Sequence, residues 1–390
     1  MAAEVISLGC RMNLSESESL RAMLAAQDDL VVINSCAVTA EAVRQTRQAI
    51  RRARKARPQA RLLVTGCAAE VERGAIASMP EVDGLIANTA KLDPRAWNVP
   101  ALRAPDTATH TRAFVTVQNG CDHACTFCVI PQGRGASRSL PVAAVIAEID
   151  RHLATGAKEV VLSGVDLTSW GTDLLGAPPL GQLVEAILGK CPDLQRLRLS
   201  SVDGIEIDPL LFDLIAGESR IMPHLHLSLQ HGDDLILKRM KRRHLRRDAV
   251  QLVSALKLRR PDIAIGADLI AGFPTEDEAA HTANLSVVAE LAVVHGHVFP
   301  YSRRPGTPAD RMPQNDPAVI KARAAELRGA VAAQRAGWLV SQLGRPLDVL
   351  AERDGTGHAP NFARVALPPQ TTAGTIVTHI PTTLVEGLLA

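Results

Sequence analysis

Aromatic residues are scarce in this sequence of 390 residues, at only 3% Phe, Trp and Tyr with a single tyrosine. An excess of one charge is also missing, because 43 lysines and arginines balance 41 aspartates and glutamates to a formal net charge of +2. No global field therefore indicates a polyanionic partner, and any basic surface must be local. Long apolar runs are absent too, since none approaches the ~20 residues of a membrane-spanning helix.

The first ten residues, MAAEVISLGC, lack the basic leader of a secretory signal, so we expect a cytoplasmic protein with no membrane contact. At about 150 residues per domain the length predicts two or three domains, enough to bury a substantial core. Seven cysteines in a chain of this kind argue against a disulfide scaffold. They favour metal binding, redox chemistry or simple core packing.

Residues 1–92 alternate short apolar runs with longer amphipathic stretches, which predicts an α/β domain built on a parallel sheet. The predicted strands are Val5–Gly9, Leu30–Ser35, Arg61–Gly66 and Gly84–Asn88. The predicted helices are Ser15–Ala26, Thr39–Ala56 and Glu70–Met79. Residues 93–111 collect prolines and polar residues without periodicity, so we expect a linker there.

A second alternation over residues 112–339 repeats at roughly 30 to 35 residues and predicts six βα units. Its predicted strands are Ala113–Gln118, Val160–Val165, Leu194–Ser201, His224–Gln230, Ala264–Gly272 and His295–Ser302. Its predicted helices are Pro141–Leu153, Leu180–Leu188, Pro209–Ala216, Arg246–Leu258, Glu276–Leu291 and Pro317–Leu339. A closed barrel of eight units needs about 250 residues, so this shorter stretch predicts a partial, open (βα)6 barrel.

Residues 340–390 change character and are rich in glycine, proline and asparagine between short apolar runs. These runs, Leu347–Glu352, Phe362–Leu367 and Gly374–Ile380, predict a small all-β module at the end of the chain. The predicted fold class is therefore α/β with a separate C-terminal β module.

Cys121, Cys125 and Cys128, the Cys121 triplet, form a CxxxCxxC motif directly after the first predicted barrel strand. Zinc sites usually combine CxxC pairs with a nearby fourth ligand, and none follows here. Three thiolates on so short a segment suit a cubane iron–sulfur cluster that leaves one iron without a protein ligand. The alternative, that these are small buried hydrophobic side chains, fits the spacing poorly.

Cys10, Cys36 and Cys67, the Cys10 triplet, each follow a predicted parallel strand, in VISLGC, VVINSC and LLVTGC. Ligands of open α/β sheets bind at the carboxyl edge, so we expect these cysteines to converge. That arrangement suits a second cluster, and three unrelated core cysteines are the alternative. Cys191 in KCPDL has no partner pattern and is expected to be structural.

Eight segments between Ser7 and about Arg311 carry a family resemblance: SLGCRMNLSESE, VVINSCAVTAEA, VTGCAAE, GCDHACTFCVIPQGRGASRS, LSGVDLTSWG, HLHLSLQHGDDLILKRMKRR, GADLIAGFPTE and HVFPYSRRPGTPA. In them the chain resembles the radical S-adenosylmethionine methylthiotransferases. The resemblance implies a three-cysteine domain, a radical S-adenosylmethionine barrel and a C-terminal TRAM domain, for which only GHAPNFARV is similar. INSCAVT, QNGCDHACTFC and PxGRGxSRS look most like the branch that acts on N6-threonylcarbamoyladenosine in tRNA.

The resemblance implies two [4Fe-4S] clusters and S-adenosylmethionine as cofactors. The Cys121 triplet would hold the cluster that cleaves S-adenosylmethionine, so that a 5′-deoxyadenosyl radical activates the C2–H bond of the adenine. The Cys10 triplet would hold an auxiliary cluster that binds and delivers the sulfur. A one-electron donor such as flavodoxin is implied as a partner.

The same resemblance suggests where S-adenosylmethionine would bind. Phe127 matches an aromatic position that flanks the adenine, and Gly164 in LSGVD belongs to the S-adenosylmethionine site. Gln230 and Asp268, on the fourth and fifth predicted barrel strands, are expected to point toward the barrel mouth and contact the cofactor. Alternate residues on a barrel strand are often simply core, which is the alternative for both.

Arg134 and Arg138, beside the Cys121 triplet in PQGRGASRS, are predicted to contact the substrate tRNA. Two basic runs, at residues 44–61 and 238–247, could neutralise phosphates, but such a run is as often a solvated face. Base stacking would fall to few aromatics, and Tyr301 and Phe362 are candidates that could equally be core. His123 is expected to be a solvated loop residue rather than a ligand.

We therefore expect a monomeric tRNA methylthiotransferase that converts N6-threonylcarbamoyladenosine, 3′ of the anticodon, to its 2-methylthio derivative. The nearest alternative is the same chemistry on isopentenyladenosine in tRNA or on an aspartate of a ribosomal protein. A sulfur-insertion enzyme without methyl transfer is a further alternative. From a different class, a non-catalytic iron–sulfur RNA-binding protein would need a Cys121 triplet whose cluster does not cleave S-adenosylmethionine.

Overall fold

The structure is a computed structural model that describes residues 2–100 and 111–390. The chain forms two compact units, each built from three separate segments. Unit 1 comprises Met1–Thr109, Asn119–Arg138 and Ser302–Asp310, and unit 2 comprises His110–Gln118, Ser139–Tyr301 and Arg311–Ala390. The loop that carries the Cys121 triplet thus packs with the N-terminal residues. Most of the predicted linker lies outside the described residues.

Unit 1 contains a four-stranded parallel sheet whose strands follow chain order. Its strands and helices are β1 (Glu4–Ser7), α1 (Arg11–Met23), β2 (Leu30–Ser35), α2 (Ala40–Ala56), β3 (Arg61–Gly66), α3 (Cys67–Val71), α4 (Arg73–Ala77), β4 (Gly84–Leu85) and α5 (Ile130–Arg134). The predicted parallel α/β domain is confirmed. β2 and β3 match their predicted bounds residue for residue.

The central strand β2 is buried along its whole length because helices cover both faces of the sheet. Val31 and Ile33 pack with Ile50 of α2 on one face. Val32 packs with Leu20 of α1 on the other face. Burial on both faces explains why this strand reads as a continuous apolar run rather than as an alternating one.

The predicted helix Glu70–Met79 is wrong in its start and its continuity, because the chain forms α3 and α4 instead. α3 begins directly after β3, where the hydroxyl of Ser35 accepts hydrogen bonds from the backbone N–H groups of Ala68 (3.1 Å) and Ala69 (3.2 Å). This cap comes from the neighbouring strand, so the local sequence around residue 67 does not reveal it.

Unit 2 contains six parallel strands in two sheets, β5-β8-β9 and β10-β11-β12. The strands and helices from residue 112 to 340 outside α5 are β5 (Arg112–Thr116), β6 (Gln118–Asn119), β7 (Arg138–Ser139), α6 (Val142–Ala154), β8 (Glu159–Ser163), α7 (Leu180–Lys190), β9 (Arg196–Leu199), α8 (Pro209–Gly217), β10 (His224–Gln230), α9 (Asp234–Arg239), α10 (Arg246–Arg259), β11 (Ala264–Ala271), α11 (Glu278–Glu290), β12 (Val293–Pro300) and α12 (Pro317–Val340). The helices pack their apolar sides against the strands in one continuous core.

The wall of the barrel continues across the gap between the two sheets. The backbone N–H of Val202 donates to the carbonyl of His226, and the N–H of Ser228 donates to the carbonyl of Val202, both at 2.9 Å. Six parallel strands in chain order therefore form the partial (βα)6 barrel that the sequence predicts. Within the described residues no helix is both long and apolar enough to span a membrane.

The C-terminal residues form one sheet in the order β16-β13-β14-β15-β18-β17. Its strands are β13 (Leu347–Ala351), β14 (Thr356–His358), β15 (Arg364–Ala366), β16 (Ile376–His379), β17 (Leu384–Val385) and β18 (Leu388–Leu389). The predicted all-β module is confirmed, but the predicted number of strands is wrong. β14, β17 and β18 have two or three residues each, too few for a readable alternation.

The β module is joined to the barrel by buried arginines of β9. Arg198 donates to the carbonyl oxygens of Ala359 (2.9 Å) and Pro360 (2.8 Å), and its Nε lies 2.7 Å from a carboxylate oxygen of Glu159. The side chains of Arg198 and Glu159 are 3% and 0% exposed. An ion pair this deep is costly to break, because the remaining charge stays in the interior.

Replacing Arg198 by Met is expected to lower the free energy of unfolding by about 3–5 kcal/mol, because the Glu159 carboxylate loses its nearer cation inside the protein. Denaturant unfolding of the full chain measures the loss. Arg364→Met is the matched control: this arginine of the same module is 48% exposed and pairs with Asp354 at the surface. Its expected cost is at most about 1 kcal/mol. Equal losses for the two variants would refute the structural role assigned to Arg198.

Candidate metal centres

The structure brings the three cysteines of the Cys10 triplet to one edge of the unit 1 sheet. Cys36 directly follows β2, Cys67 is the first residue of α3 directly after β3, and Cys10 immediately precedes α1. Because β1, β2 and β3 are adjacent and parallel, their carboxyl ends share this edge. All seven cysteines of the chain lie within the described residues and are free thiols.

Gly9 allows the chain after β1 to approach Cys36 closely. Its φ is +93°, and a Cβ built on it would lie 2.5 Å from the Cβ and 2.7 Å from the Sγ of Cys36. A larger residue would therefore push the two chain segments apart. Glycine is the residue that meets both the conformational and the steric requirement.

The thiols of the Cys10 triplet influence one another and two buried cations. Burial raises the pKa of Cys36, and the neighbouring thiols of Cys10 and Cys67 raise it further. Burial also raises the pKa of Cys67, while the positive charges of Arg134 and Lys91 oppose that rise. Metal ligation requires thiolates, which this positive surrounding favours.

Two buried asparagines orient the outer cysteines of the Cys10 triplet. The Sγ of Cys10 lies 3.9 Å from Oδ1 of Asn13. The Nδ2 group of the same asparagine donates a hydrogen bond to the carbonyl of Leu8 at 2.7 Å. Nδ2 of Asn88 lies 3.8 Å from Sγ of Cys67 and donates to the carbonyl of Gly133 at 2.6 Å. Sequence reasoning missed both asparagines.

The loop of the Cys121 triplet is held by backbone hydrogen bonds inside unit 1. The N–H of Cys121 donates to the carbonyl of Gly135 at 3.1 Å, and the N–H of Cys128 donates to the carbonyl of Cys125 at 3.2 Å. The N–H of Ile130 points at Sγ of Cys128 at 3.4 Å. All three cysteines are partly exposed. Such N–H···S contacts stabilise thiolates and are a feature of iron–sulfur sites.

Gly120 sets the entry to this loop. Its φ is +79°, and a Cβ there would lie 1.9 Å from the carbonyl oxygen of Ala136. Gly120→Ala is therefore expected to displace the loop and to abolish iron binding by the Cys121 triplet, because the clash is with backbone. Iron per chain and visible absorption measure this in a variant that also carries Ala in place of the Cys10 triplet.

The matched control for Gly120→Ala is Gly306→Ala. Gly306 lies in the same unit and also has a positive φ, +84°, but a Cβ there would meet nothing within 4 Å. This control therefore carries the conformational strain without the clash, and we expect it to retain iron. Full iron content in Gly120→Ala would show that the loop tolerates the displacement.

The two cysteine triplets are carried by the same compact unit and are linked through α5. A Cβ on Gly133 of α5 would lie 3.1 Å from the Cβ of Cys67, so the backbone of α5 passes directly against this cysteine. Asn88, which bonds the carbonyl of Gly133, reinforces the contact. The segment between Ser302 and Asp310 adds a bond from the N–H of Ala309 to the carbonyl of Thr126 at 2.9 Å.

Arg134, predicted to contact tRNA, is an interior residue of unit 1. Its side chain is 4% exposed, and its guanidinium lies 2.9 Å from Oε1 of Glu16 and 2.6 Å from Oδ1 of Asn13. This burial corrects the prediction of a direct contact with RNA, because the guanidinium is enclosed by the protein. Arg138 is exposed, and the predicted RNA contact remains a prediction for this residue.

Within unit 2, Asp268 of β11 lies between two imidazoles on the neighbouring strands. Its Oδ1 is 3.0 Å from Nε2 of His226 on β10 and 3.0 Å from Nδ1 of His297 on β12. Burial alone would raise the pKa of Asp268, but the hydrogen bonds from the two histidines hold it well below its usual range. The carboxylate is therefore ionised and fixed in orientation.

The other residues predicted for S-adenosylmethionine lie at strand ends or in the Cys121 loop. Gln230 is the last residue of β10 and has a φ of +68°. Gly164 directly follows β8, and a Cβ there would lie 3.0 Å from both Oε1 of Gln118 and Cα of Leu167. Phe127 is half-buried. Their contact with the cofactor stays a prediction.

Pairing with acids removes much of the charge of the two basic runs. Arg47 in the first run lies 2.5 Å from Glu72, and Arg242 in the second lies 2.8 Å from Asp203. Arg246 pairs similarly with an acid of α11. These ion pairs favour the interpretation of both runs as largely structural and solvated faces.

The two aromatic candidates for base stacking pack inside unit 2. Tyr301 is 8% exposed and meets Phe273 edge to face, with ring centres 5.5 Å apart. Phe362 stacks on His224 at 4.9 Å, and the guanidinium of Arg198 lies 5.0 Å from its ring centre. These contacts favour the core alternative for both residues.

Comparison with known proteins decides the family. The radical SAM superfamily model matches residues 115–285, and the model of the uncharacterized protein family UPF0004 matches residues 2–87. The threonylcarbamoyladenosine tRNA methylthiotransferase MtaB of Rickettsia prowazekii is 42% identical over 382 residues, covering 93% of this chain and 91% of its own length. This chain belongs to the radical S-adenosylmethionine methylthiotransferase family.

Other relatives of this methylthiotransferase carry related names. The tRNA-2-methylthio-N(6)-dimethylallyladenosine synthase of Erythrobacter litoralis is 32% identical, with 90% of this chain and 86% of that protein covered. Among solved structures, the radical S-adenosylmethionine methyltransferase TsrM of Kitasatospora setae matches with a TM-score of 0.55 and 15% identity. It covers 77% of this chain and 67% of that chain, and it supports the fold alone.

As a member of this family, the methylthiotransferase uses S-adenosylmethionine and a [4Fe-4S] cluster. The Cys121 triplet fits such a cluster, because it offers three thiols on one loop and leaves one position of a cubane without a protein ligand. The partial exposure of all three sulfur-bearing residues is consistent with a ligand reaching that position.

Proposed function

We propose that this protein converts N6-threonylcarbamoyladenosine, at the position 3′ of the anticodon in tRNA, to its 2-methylthio derivative. The observation that carries the proposal is the 42% identity over nearly the full length of a threonylcarbamoyladenosine tRNA methylthiotransferase. The relatives named for dimethylallyladenosine are less similar, at 32% identity for the protein described above.

The proposal includes a second [4Fe-4S] cluster on the Cys10 triplet. Three thiols at one sheet edge, close enough to shift one another's pKa, provide the donor set for it. Cys36 and Cys67 are buried at 6% exposure each, whereas Cys10 is exposed, so a group held there would be enclosed on the side of Cys36 and Cys67 and reachable on the side of Cys10. The sulfur that enters the product would be bound at this centre, and the presence of both triplets in one compact unit supports this role.

When bound, the cluster on the Cys121 triplet supplies the electron that cleaves S-adenosylmethionine. The chain itself binds and orients the cofactor. The ionised carboxylate of Asp268, held by His226 and His297, is an acceptor suited to the ribose hydroxyl groups of S-adenosylmethionine. Gln230 and Gly164, in unit 2 like Asp268, are proposed to contact S-adenosylmethionine. For Phe127, the family resemblance implies a contact with the adenine.

Arg138 is proposed to contact a phosphate or nucleotide of the tRNA, since it is exposed directly after the Cys121 loop. Arg138→Ala is expected to weaken tRNA binding and to lower methylthiolation while leaving the cleavage of S-adenosylmethionine in the absence of tRNA unchanged. Binding measured at two salt concentrations checks this, because one lost phosphate contact lowers the salt slope by about 1.

Arg259→Ala is the control for Arg138→Ala, because Arg259 is half exposed and pairs with Asp213 on a helix of unit 2. We expect this control to bind tRNA normally. Normal binding and modification by Arg138→Ala would remove this residue from the proposed RNA site.

We further propose that the protein acts as a monomer in the cytoplasm, where tRNA is found, and takes electrons from a flavodoxin-type donor. Size-exclusion chromatography with light scattering tests the monomer. Reduction of the bound iron by flavodoxin, followed by its absorbance, tests the donor.

Nucleoside mass spectrometry of tRNA from cells lacking the gene tests the proposed function. Loss of 2-methylthio-N6-threonylcarbamoyladenosine, with restoration by the wild-type gene, is the expected result. Loss of the 2-methylthio form of isopentenyladenosine instead would transfer the activity to that substrate. An unchanged nucleoside profile would overturn the tRNA assignment and direct attention to a ribosomal protein.

A further inference from the structure

Three charged side chains form a buried network in unit 1, the Lys91–Glu16–Arg134 network. Lys91 is 2% exposed, and Glu16 and Arg134 are 4% exposed each. Lysine, arginine and glutamate are rarely buried to this extent unless they are paired. These residues lie on three different segments of the sequence, and none of them belongs to either cysteine triplet.

The carboxylate of Glu16 binds both cations. Nζ of Lys91 lies 2.5 Å from Oε2 of Glu16, and Nη1 of Arg134 lies 2.9 Å from Oε1. Amide oxygens satisfy further donors: Lys91 reaches Asn34 at 3.3 Å, and Arg134 reaches Asn119 at 2.9 Å. Within the described part of the chain, every polar contact of the Lys91 and Arg134 side chains is thus with a neutral amide or with Glu16.

The network carries one positive charge in excess. Burial raises the pKa of Glu16, but the charges of Lys91 and Arg134 outweigh that effect and lower it, so the carboxylate is ionised. Burial lowers the pKa of Lys91, but the carboxylate of Glu16, 2.5 Å from its Nζ, opposes this effect and favours the protonated amine. Two cations and one anion therefore remain, and Glu16 is the only carboxylate that contacts either cation within the described residues. An uncompensated charge in the interior is costly, so a negative partner is expected nearby.

The cysteines of the Cys10 triplet lie where that negative partner would be. Burial acts to lower the pKa of Arg134 and of Lys91. Cys67 and Cys10 act in the opposite direction on the pKa of Arg134, and Cys67 does so on the pKa of Lys91. Asn13 links the two groups directly, because its Oδ1 lies 2.6 Å from Nη2 of Arg134 and 3.9 Å from Sγ of Cys10. The backbone of α5 also passes against Cys67 one residue before Arg134.

We propose that the Lys91–Glu16–Arg134 network supplies the positive charge that balances an anionic cluster on the Cys10 triplet and thereby raises its reduction potential. This inference rests on the second cluster of the proposed function. An oxidised cubane core with formal charge two-plus and three thiolates has one net negative charge, which matches the excess of the network. Reduction adds a further negative charge, and nearby cations favour it.

The test isolates the auxiliary site in the full-length chain by replacing all members of the Cys121 triplet with Ala. In that background, Lys91→Met removes a positive charge, and Glu16→Gln removes the negative one. We expect opposite shifts: Lys91→Met lowers the reduction potential, and Glu16→Gln raises it. Each shift should change the ratio of reduced to oxidised cluster at least about tenfold, or about 59 mV for a one-electron couple.

Two further variants separate electrostatics from structural damage. Lys91→Arg changes the packing but keeps the positive charge, so its reduction potential should stay near that of the parent. If lost packing caused the shift in Lys91→Met, the potential of Lys91→Arg would shift as well. Lys55→Met removes an exposed lysine of α2 in the same unit and should leave the potential unchanged. Potentials are read by electron paramagnetic resonance during redox titration, with iron and sulfide content measured on the same samples.

The outcomes distinguish the two levels of the proposal. Absence of iron from the parent lacking the Cys121 triplet would overturn the second cluster, and with it the proposed sulfur-binding centre. Iron bound normally with unchanged potentials, or with shifts of the same sign in Lys91→Met and Glu16→Gln, would overturn only the role of the network. If Glu16→Gln fails to fold, the contrast between Lys91→Met and Lys91→Arg still decides the question.

Discussion

Replacing Cys121 by Ala is expected to remove all detectable 2-methylthio-N6-threonylcarbamoyladenosine from cellular tRNA. The remaining cysteines of the triplet supply two thiolates, one fewer than a cubane cluster with a single open iron requires. Without that cluster S-adenosylmethionine is not cleaved reductively, so the adenine C2–H bond, which has no acidic proton, stays intact. Nucleoside mass spectrometry of tRNA from a complemented deletion strain measures the loss.

Cys191→Ala provides the matched control for this substitution. Cys191 is a buried thiol, 2% exposed, whose Sγ lies 3.7 Å from Asp150, away from both triplets in sequence. We expect this variant to fold and to modify tRNA like the wild type. Modification by Cys121→Ala at the wild-type level would disprove the assignment of the triplet to the radical centre.

Replacing Cys36 by Ala is expected to separate the two chemical functions. Cleavage of S-adenosylmethionine to 5′-deoxyadenosine should continue, because the Cys121 loop keeps its own ligands and hydrogen bonds. Methylthiolation should fall below detection, because the proposed sulfur-binding centre would lose one of its three thiolates. About half of the iron should remain if each triplet holds a cluster of four irons.

Both products are measured in one anaerobic reaction by mass spectrometry, with dithionite as reductant and tRNA that contains N6-threonylcarbamoyladenosine. Cys36 is 6% exposed, so the loss of its sulfur leaves a small cavity, and circular dichroism checks that the variant is folded. Loss of 5′-deoxyadenosine in a folded Cys36→Ala would show that the two centres do not work independently. Retained methylthiolation would refute the role of the Cys10 triplet.

Much of the fold follows from local sequence because its strands are buried on both faces. β2 and β3 were predicted with their observed bounds, since continuous apolar runs between polar turns identify parallel strands. The local sequence does not predict the break between α3 and α4, because the hydroxyl of Ser35 caps α3 from another strand. The short strands of the C-terminal sheet were missed because two residues contain no periodicity.

The sequence predicts the cysteines of the site because their spacing and their positions after the strands are typical of iron–sulfur ligands. The sequence does not predict the buried network, because Lys91 and Arg134 lie 75 and 118 residues from Glu16 and local patterns contain no information on such pairs. Arg134 was accordingly assigned to RNA. One signal was available: Asn34 directly follows four apolar residues of β2, and it is fully buried beside the network.

The assembly of unit 1 from distant segments has a consequence for its biosynthesis. At about 5–20 residues per second, Arg134 leaves the ribosome roughly 6–24 seconds after Glu16, from which it is 118 residues distant. The segment Ser302–Asp310 follows much later. The N-terminal sheet therefore emerges with a glutamate whose partners do not yet exist. A cluster on the Cys10 triplet would accordingly meet its full set of neighbouring charges only after Arg134 has been translated.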